Sequence, residues 1–260
     1  VQMRSGQIQT EYLVDIKKFE QLRGNEFSAA NGLIIGALST HRDLELSSII
    51  RERYTVLYDG VSRVGSVQIR NRGTIGGNIC NALPSADSLA PLLALGAKVV
   101  LRGVSGEREM ELRDFLIGPR KTALKTGEIL THIIVPPGNE LCGGAYIKFT
   151  RRKAMDLALL GVAVYQEYRS DLATCSRIRI AMATAAPVPM RAIEAENFLI
   201  GKKLTDPEVL QQVGEIASKE ARPRTSWRST EEYRRHLLKV LVPRAIKLAH
   251  ERMLFSRQDN

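Results

Sequence analysis

The stretch Gly73-Thr74-Ile75-Gly76-Gly77-Asn78 limits what this chain can build more than any other. Three glycines in six positions permit positive φ and let a ligand come close to the backbone. Successive N–H groups exposed in such a turn form an anion-binding concavity. The Thr74 hydroxyl and the Asn78 and Asn81 amides add donors. Each hydrogen bond to a charged oxygen contributes roughly 1.5–3 kcal/mol, so a few hold a pyrophosphate. No Walker lysine–serine pair follows, which excludes a P-loop, and the GxGxxG dinucleotide fingerprint is also absent. Glycine content alone equally fits a plain turn between a strand and a helix. The neighbours shift the weight, because Gln68-Ile69-Arg70-Asn71 precede the turn and Asn81, Pro84, Ser85, Ala86 and Asp87 follow it. A solvent loop gains nothing from so many specific polar groups. Asp87 keeps two readings here, acceptor for a ribose hydroxyl or cap of a helix from Ser88.

With 260 residues the chain forms one large or two modest domains. Its longest apolar stretch, Leu89 to Leu101, is interrupted by Pro91, Gly96 and Lys98 and is too short to span a bilayer. Val1 to Gly6 contains no apolar h-region, so no signal peptide is expected and a cytoplasmic location is. Cys80, Cys142 and Cys175 are odd in number and far apart, and His41, His132, His236 and His250 are equally scattered. Neither set has metal-ligand spacing, so no metal is expected in this chain. The net charge of +10 is spread along the sequence, with local runs only at Arg151-Arg152-Lys153 and Arg234-Arg235. Without an interleaved aromatic platform this argues against nucleic acid, and for a solvated surface or an acidic partner subunit.

Patterning predicts strands at Tyr12–Ile16 and Leu33–Gly36, a capped helix from Thr40 with Asp43 at N3, and a helix over Ser48–Tyr58. A buried helix over Ser88–Leu95, a strand at Ala97–Leu101 with a return strand through Met110 and Leu112, a polar loop Gly118–Thr122 and a strand at Ile129–Val135 follow. Pro136-Pro137-Gly138 marks the boundary between a first domain, 1–137, and a second, 143–260. In the second, Tyr146–Thr150, Leu157–Tyr168 and Ile178–Ala183 read as three antiparallel strands. The alternation of Ile178, Ile180 and Met182 with Arg177 and Arg179 predicts one buried and one wet face. Thr205-Asp206-Pro207-Glu208 and Ser229–Glu232 open two closing helices, the last of which Pro243 should kink or break.

The stretch from Val67 to Ala82 resembles the second flavin loop of the molybdenum hydroxylases, the family of the FAD-binding subunit of xanthine dehydrogenase and the medium subunit of carbon monoxide dehydrogenase. Leu13-Val14-Asp15-Ile16, Gly118-Pro119 with Lys121-Thr122, Gly127–Leu130, Arg152–Asp156 and Ala185–Arg191 occur in family order. Ser226-Trp227-Arg228 followed by Tyr233-Arg234 resembles the bacterial xanthine dehydrogenase subunit most closely.

That resemblance implies an α+β fold. An FAD-binding type-2 (PCMH-like) domain of two small α/β subdomains would precede a three-stranded antiparallel sheet with a helical bundle. It implies that Thr74, Ile75, Gly76, Gly77 and Asn78 hold the FAD pyrophosphate and ribityl chain, and that Asn81 and Asp87 contact the cofactor just after the loop. Ile129 and Leu130 would lie beside the flavin or adenine, and Lys148 near the isoalloxazine. Taken alone, Lys148 reads as a surface lysine on a strand. Beside the ring, a cation stabilises a reduced, anionic flavin. A first glycine-rich loop, of Ala-Gly-Gly-Thr type, is implied shortly before the position of Val1, so the chain is expected to be incomplete at its N-terminus. The implied role is electron transfer. A large molybdopterin subunit would hydroxylate xanthine or another purine, a small subunit would carry two-iron clusters, and FAD here would deliver electrons to NAD or another acceptor. Carbon monoxide, nicotinate and aldehyde complexes are the alternatives within the family, and a flavin-free assembly module is the alternative outside it. No catalytic side chain is required, and no cysteine cluster supports the iron–sulfur insertion of the hydroxybenzoyl-CoA branch.

Overall fold

The computed structural model describes residues 3–7 and 9–258. Val1 and Gln2, the start of the segment expected not to be a signal peptide, lie outside the described residues. The apolar run Leu33–Ile35 makes β2 (Gly32–Gly36), which pairs with the mostly polar β1 (Asn25–Ser28) in a hairpin closed at Gly32. Helices α1 (His41–Leu46), α2 (Ser48–Arg53), α3 (Thr55–Ser62), α4 (Val67–Arg70), α5 (Ile75–Asn81) and α6 (Leu89–Leu95) follow. The hairpin β3 (Lys98–Gly103) and β4 (Gly106–Glu111) comes next, then α7 (Leu112–Phe115), β5 (Leu116–Gly118), β6 (Lys121–Thr122) and β7 (Ile129–Val135). The second sheet comprises β8 (Cys142–Phe149), β9 (Leu160–Tyr168), β10 (Cys175–Ala183) and β11 (Met190–Arg191). Helices α8 (Ile193–Leu199), α9 (Pro207–Glu220) and α10 (Glu231–Gln258) end the chain. The class is α+β, as expected.

Both sheets are antiparallel. The first runs β1-β2-β7-β3-β4 and the second β11-β10-β9-β8, so the three expected strands gain a two-residue edge partner. Before residue 137 the described residues hold this five-stranded sheet and the separate two-stranded β5–β6 sheet, with their helices. Tyr12–Ile16 is not a strand. Its backbone enters no ladder among the described residues, and Tyr12, Leu13 and Val14 are exposed. The helix expected over Ser48–Tyr58 is two helices broken at Tyr54, and the return strand ends at Glu111 because Leu112 opens α7. The loop Gly118–Thr122 is the turn of a minimal β5–β6 hairpin.

Beyond its exposed Ser176–Arg177 end, the second sheet is covered on both faces, which corrects the expectation of a wet one. Ala145, Val162, Val164, Ile178, Ile180 and Met182 face a core shared with α8, α9 and α10. Tyr146, Ala163, Tyr165, Ala181 and Ala183 point the other way, into a core shared with α3, α5, α6 and the first sheet. Alternation along a strand does sort side chains between faces, but here each face has an apolar layer to meet. Arg179 escapes to the edge and donates from Nη1 to the Leu95 carbonyl at 3.1 Å, satisfying the end of α6. The capping expectations shift by one residue. Asp206 caps α9, accepting from the Glu208 amide, and Thr230 accepts from the Tyr233 amide at the start of α10. Helix α10 runs through Pro243 as one element, because Leu241, Val242, Ala245 and Ile246 are buried on both sides of it. No helix among the described residues is long and apolar enough to cross a membrane.

Candidate cofactor site

Two clamps fix the path of the chain into the glycine turn. Ser66 caps α4 by accepting from the Ile69 amide, and Arg70 holds Glu45 of α1 through Nε–Oε2 at 2.8 Å and Nη2–Oε1 at 3.2 Å. Burial opposes ionisation of Glu45, but hydrogen bonds from Arg70 and Arg42 outweigh it and hold the carboxyl below its usual range. The His41 amide donates to the Gly73 carbonyl at 2.9 Å, and a bridge joins Thr40 to Thr74. Burial first, and then the Arg70 charge, push the His41 imidazole down to about 4, so it is neutral near pH 7.

The turn itself is the N-terminus of α5, and its amides are already occupied. Ile75 N–H donates to the Ser39 carbonyl at 3.0 Å, Gly76 N–H to the Ala37 carbonyl at 2.9 Å, and Gly77 N–H to Thr74 Oγ1 at 3.1 Å. The expected concavity of free successive N–H groups is therefore not what Ile75, Gly76 and Gly77 present. None of Gly73, Gly76 and Gly77 takes a positive φ either. The glycines serve close approach instead. A Cβ on Gly76 would lie 2.7 Å from both the Cβ and the carbonyl oxygen of Ala37. A Cβ on Gly77 would meet only Thr74 Oγ1, at 3.0 Å, because this glycine faces open surface. Its bareness answers no packing need of the fold, which is what a ligand lying against the backbone requires. The Thr74 hydroxyl, the half-buried Asn78 and the exposed Asn81 flank that bare surface.

From Asn78 a polar run crosses to the second sheet. Ser88 Oγ donates to Asn78 Oδ1 at 2.7 Å, and the next residue back, Asp87, is buried. Asp87 Oδ1 accepts from the Tyr146 hydroxyl at 3.0 Å, and Oδ2 from Lys148 Nζ at 2.7 Å. Lys148 also donates to the Arg63 carbonyl at 3.0 Å. Burial pushes the Asp87 carboxyl above its ordinary range, against the pull of the Lys148 charge and the two hydrogen bonds. Burial, then the Asp87 charge, push the Tyr146 phenol well above its usual range. Asp87 does not cap α6. Lys148 is no surface lysine either: its side chain is 6% exposed and its charge is balanced by Asp87. An open concavity of about 360 Å³ continues from Lys148, lined by Arg63, Thr150, Arg151, Arg152 and Lys153. Asp156 shapes that loop by accepting from the Arg151 and Arg152 amides at 3.2 and 3.1 Å. The positive field of the site thus comes from the arginines and Lys153 around the pair.

Leu130 is buried and Ile129 exposed at the start of β7. The Ala37 amide donates to the Thr131 carbonyl at 2.8 Å, and Ala37 in turn receives Gly76, so β7 and the turn share one strut. The ten predicted residues therefore fall into a turn group, Thr74 to Asn81, a strut group, Ile129 and Leu130, and a buried pair, Asp87 with Lys148. Sequence reasoning missed Tyr146, Ser88 and Arg63. Tyr146 lies two positions before Lys148 on one strand, a spacing that puts both on one face. Arg63 contributes a carbonyl to Lys148, and a backbone contact leaves no trace in residue type.

Comparison with known proteins fits this arrangement. Residues 1–138 match the family model described as the FAD binding domain in molybdopterin dehydrogenase. Residues 145–249 match the CO dehydrogenase flavoprotein C-terminal domain. The xanthine dehydrogenase FAD-binding subunit of Escherichia coli O157:H7 is 34% identical over 239 residues, 92% of this chain and 81% of the relative. The glyceraldehyde dehydrogenase medium chain of Sulfolobus acidocaldarius is 34% identical over 91% of this chain and 82% of its own length. Among solved structures, carbon monoxide dehydrogenase from Hydrogenophaga pseudoflava superposes with a TM-score of 0.90 at 33% identity, covering 96% of this chain and 86% of that one. The chain belongs to the FAD-binding subunits of the molybdenum hydroxylase family, oxidoreductases built with an FAD-binding domain of this type.

Proposed function

We propose that this chain holds FAD and relays electrons from the iron–sulfur clusters of a small partner subunit to NAD or another acceptor. The complex would be completed by a large molybdopterin subunit and would act on xanthine or a related purine in the cytoplasm. The observation that carries the reading is the bare surface of Gly77, joined through Asn78, Ser88 and Asp87 to the buried Lys148. Thr74 to Asn78 with Asn81 would hold the phosphates, Ile129 and Leu130 would border the ring systems, and Asp87 and Lys148 would stand at the flavin end. Bound there, FAD supplies the redox chemistry, and the protein supplies binding, orientation and field. Thr74 offers a hydroxyl donor, Asn78 and Asn81 offer amide donors, and the arginine-rich loop offers positive potential toward an anionic ligand. The division between the FAD-binding part, 1–137, and the second part, 143–260, would follow the division between the two sheets.

A second reading keeps the flavin and changes the complex. Identity is 34% to both the xanthine and the glyceraldehyde subunits, so it favours neither substrate. The xanthine reading rests on the Ser226-Trp227-Arg228 and Tyr233-Arg234 matches. Purifying the chain with its natural partners and assaying the complex with xanthine, glyceraldehyde, nicotinate and carbon monoxide decides between them. Turnover of xanthine with NAD is the expected result, and turnover of one of the others alone replaces it.

A further inference from the structure

A second cavity lies where the two halves of the chain meet, and none of the residues placed at the cofactor lines it. It encloses about 60 Å³ and is lined by Ser85, Thr184, Arg224, Ser226, Arg228 and Arg234, among others. Three guanidinium-bearing residues meet there. Arg234 is 5% exposed, donates from Nη1 to the Arg224 carbonyl at 2.7 Å and from Nη2 to Ser226 Oγ at 3.0 Å, and leaves a buried Nε without a partner. No carboxylate among the described residues pairs with any of the three. Burial first, and then the charges of Arg224 and Arg228, lower the pKa of Arg234. A buried cation beside two like charges is costly unless an anion joins it. The lining also stores strain. Thr184, a β-branched residue, sits at φ 60, held there by its amide on the Pro84 carbonyl at 2.8 Å and its hydroxyl on the Leu159 carbonyl at 2.7 Å.

We infer that this cavity is an oxyanion site that takes a single carboxylate or phosphate group between Arg224, Arg228 and Arg234. The site does not need the flavin reading, since none of Arg224, Arg228 and Arg234 is among the residues placed at FAD, and flavin content is read separately below. Its occupant is either a free ion or an acidic group of a partner subunit, and the same three arginines read both. A reporter is already in place. Trp227 is the one tryptophan of the chain, is 75% exposed, and carries the Arg228 guanidinium 4.1 Å above its ring.

The purified full chain is titrated with inorganic phosphate and with acetate against chloride at constant ionic strength. Trp227 emission is followed in parallel with equilibrium dialysis of labelled phosphate. A saturable response to the oxyanions over chloride is expected. Arg224→Gln and Arg228→Gln should each raise the half-saturation concentration by about tenfold or more, the factor one charge-assisted hydrogen bond commands. Flavin content and far-UV circular dichroism should not change in either variant. Uptake by the isolated chain that disappears in the assembled complex assigns the site to a partner's acidic group, and uptake in both assigns it to a free ion. No saturable binding over chloride in either measurement, or equal binding by both variants and the parent chain, overturns the proposal.

Discussion

At the scale of single residues, Gly76 and Gly77 look alike in sequence and do different things. Gly76 is bare so that α5 can pack on Ala37, and Gly77 is bare toward open surface. Gly76→Ala should destabilise the chain by about 1–3 kcal/mol, read by urea unfolding, since its Cβ meets backbone. Gly77→Ala should change stability by no more than about 1 kcal/mol, because the helix propensity gained is set against one 3.0 Å contact with Thr74 Oγ1. Lys148 shows how far residue type alone can mislead. It reads as exposed on a strand, and its partner Asp87 is 61 positions away in sequence. Lys148→Met should cost about 3–5 kcal/mol by stranding a buried carboxylate, and Asp87→Asn added to it should recover most of that loss. His41 makes stability depend on pH. The unfolded imidazole takes its proton near pH 6.5 and the folded one near 4, so the unfolded chain holds more protons between those values. Stability is therefore lost as pH falls through that window and regained as it rises. The parent chain should lose on the order of 2–3 kcal/mol more than His41→Gln between neutral pH and about pH 4, measured by denaturant unfolding.

At the scale of elements, caps and apolar periodicity were legible and their partners were not. The Thr40–Asp43 capping box forms as read, with both reciprocal hydrogen bonds, because it needs only residues three apart. Tyr12–Ile16 carries an equally apolar run and forms no strand, since a strand exists only with a neighbour to pair. β11 and α8 escaped notice because two residues of ladder and seven of helix are held by β10 and α9, not by local pattern. Pro243 was expected to kink or break the last helix; it does not break it, and it leaves the Lys239 carbonyl without its i+4 amide donor. Helix α9 approaches at that carbonyl with Gly214, where a Cβ would lie 2.6 Å from the oxygen. Gly214→Ala should therefore lower stability by about 1–2 kcal/mol despite the better helix propensity of alanine, a sign that calorimetry or urea unfolding reads directly.

At the scale of the whole molecule, two sheets that read as separate domains in sequence share one apolar layer. Tyr146, Ala163, Tyr165, Ala181 and Ala183 of the second sheet belong to the core of the first half. Arg252 of α10 grips Asp59 of α3 with Nη1–Oδ2 at 2.6 Å and Nη2–Oδ1 at 3.1 Å, and Asp59 also accepts from the Tyr146 amide at 2.9 Å. The site straddles this joint, with its turn on one side and Lys148 on the other. Thermal unfolding should accordingly be one cooperative transition seen alike by near- and far-UV circular dichroism, and two resolved transitions would show the halves to be independent. The glycine motif and its family were legible because they are local and contiguous, whereas the joint is made of residues far apart in sequence. The central claim, that Thr74 to Asn78 cradles FAD, is tested most directly by the flavin content of the purified protein, parent against Gly77→Val. The parent is expected to carry bound flavin with its visible absorption, and the variant to lose it while keeping the parent's circular dichroism. A parent without flavin, or a folded variant that retains it in full, would contradict the cradle.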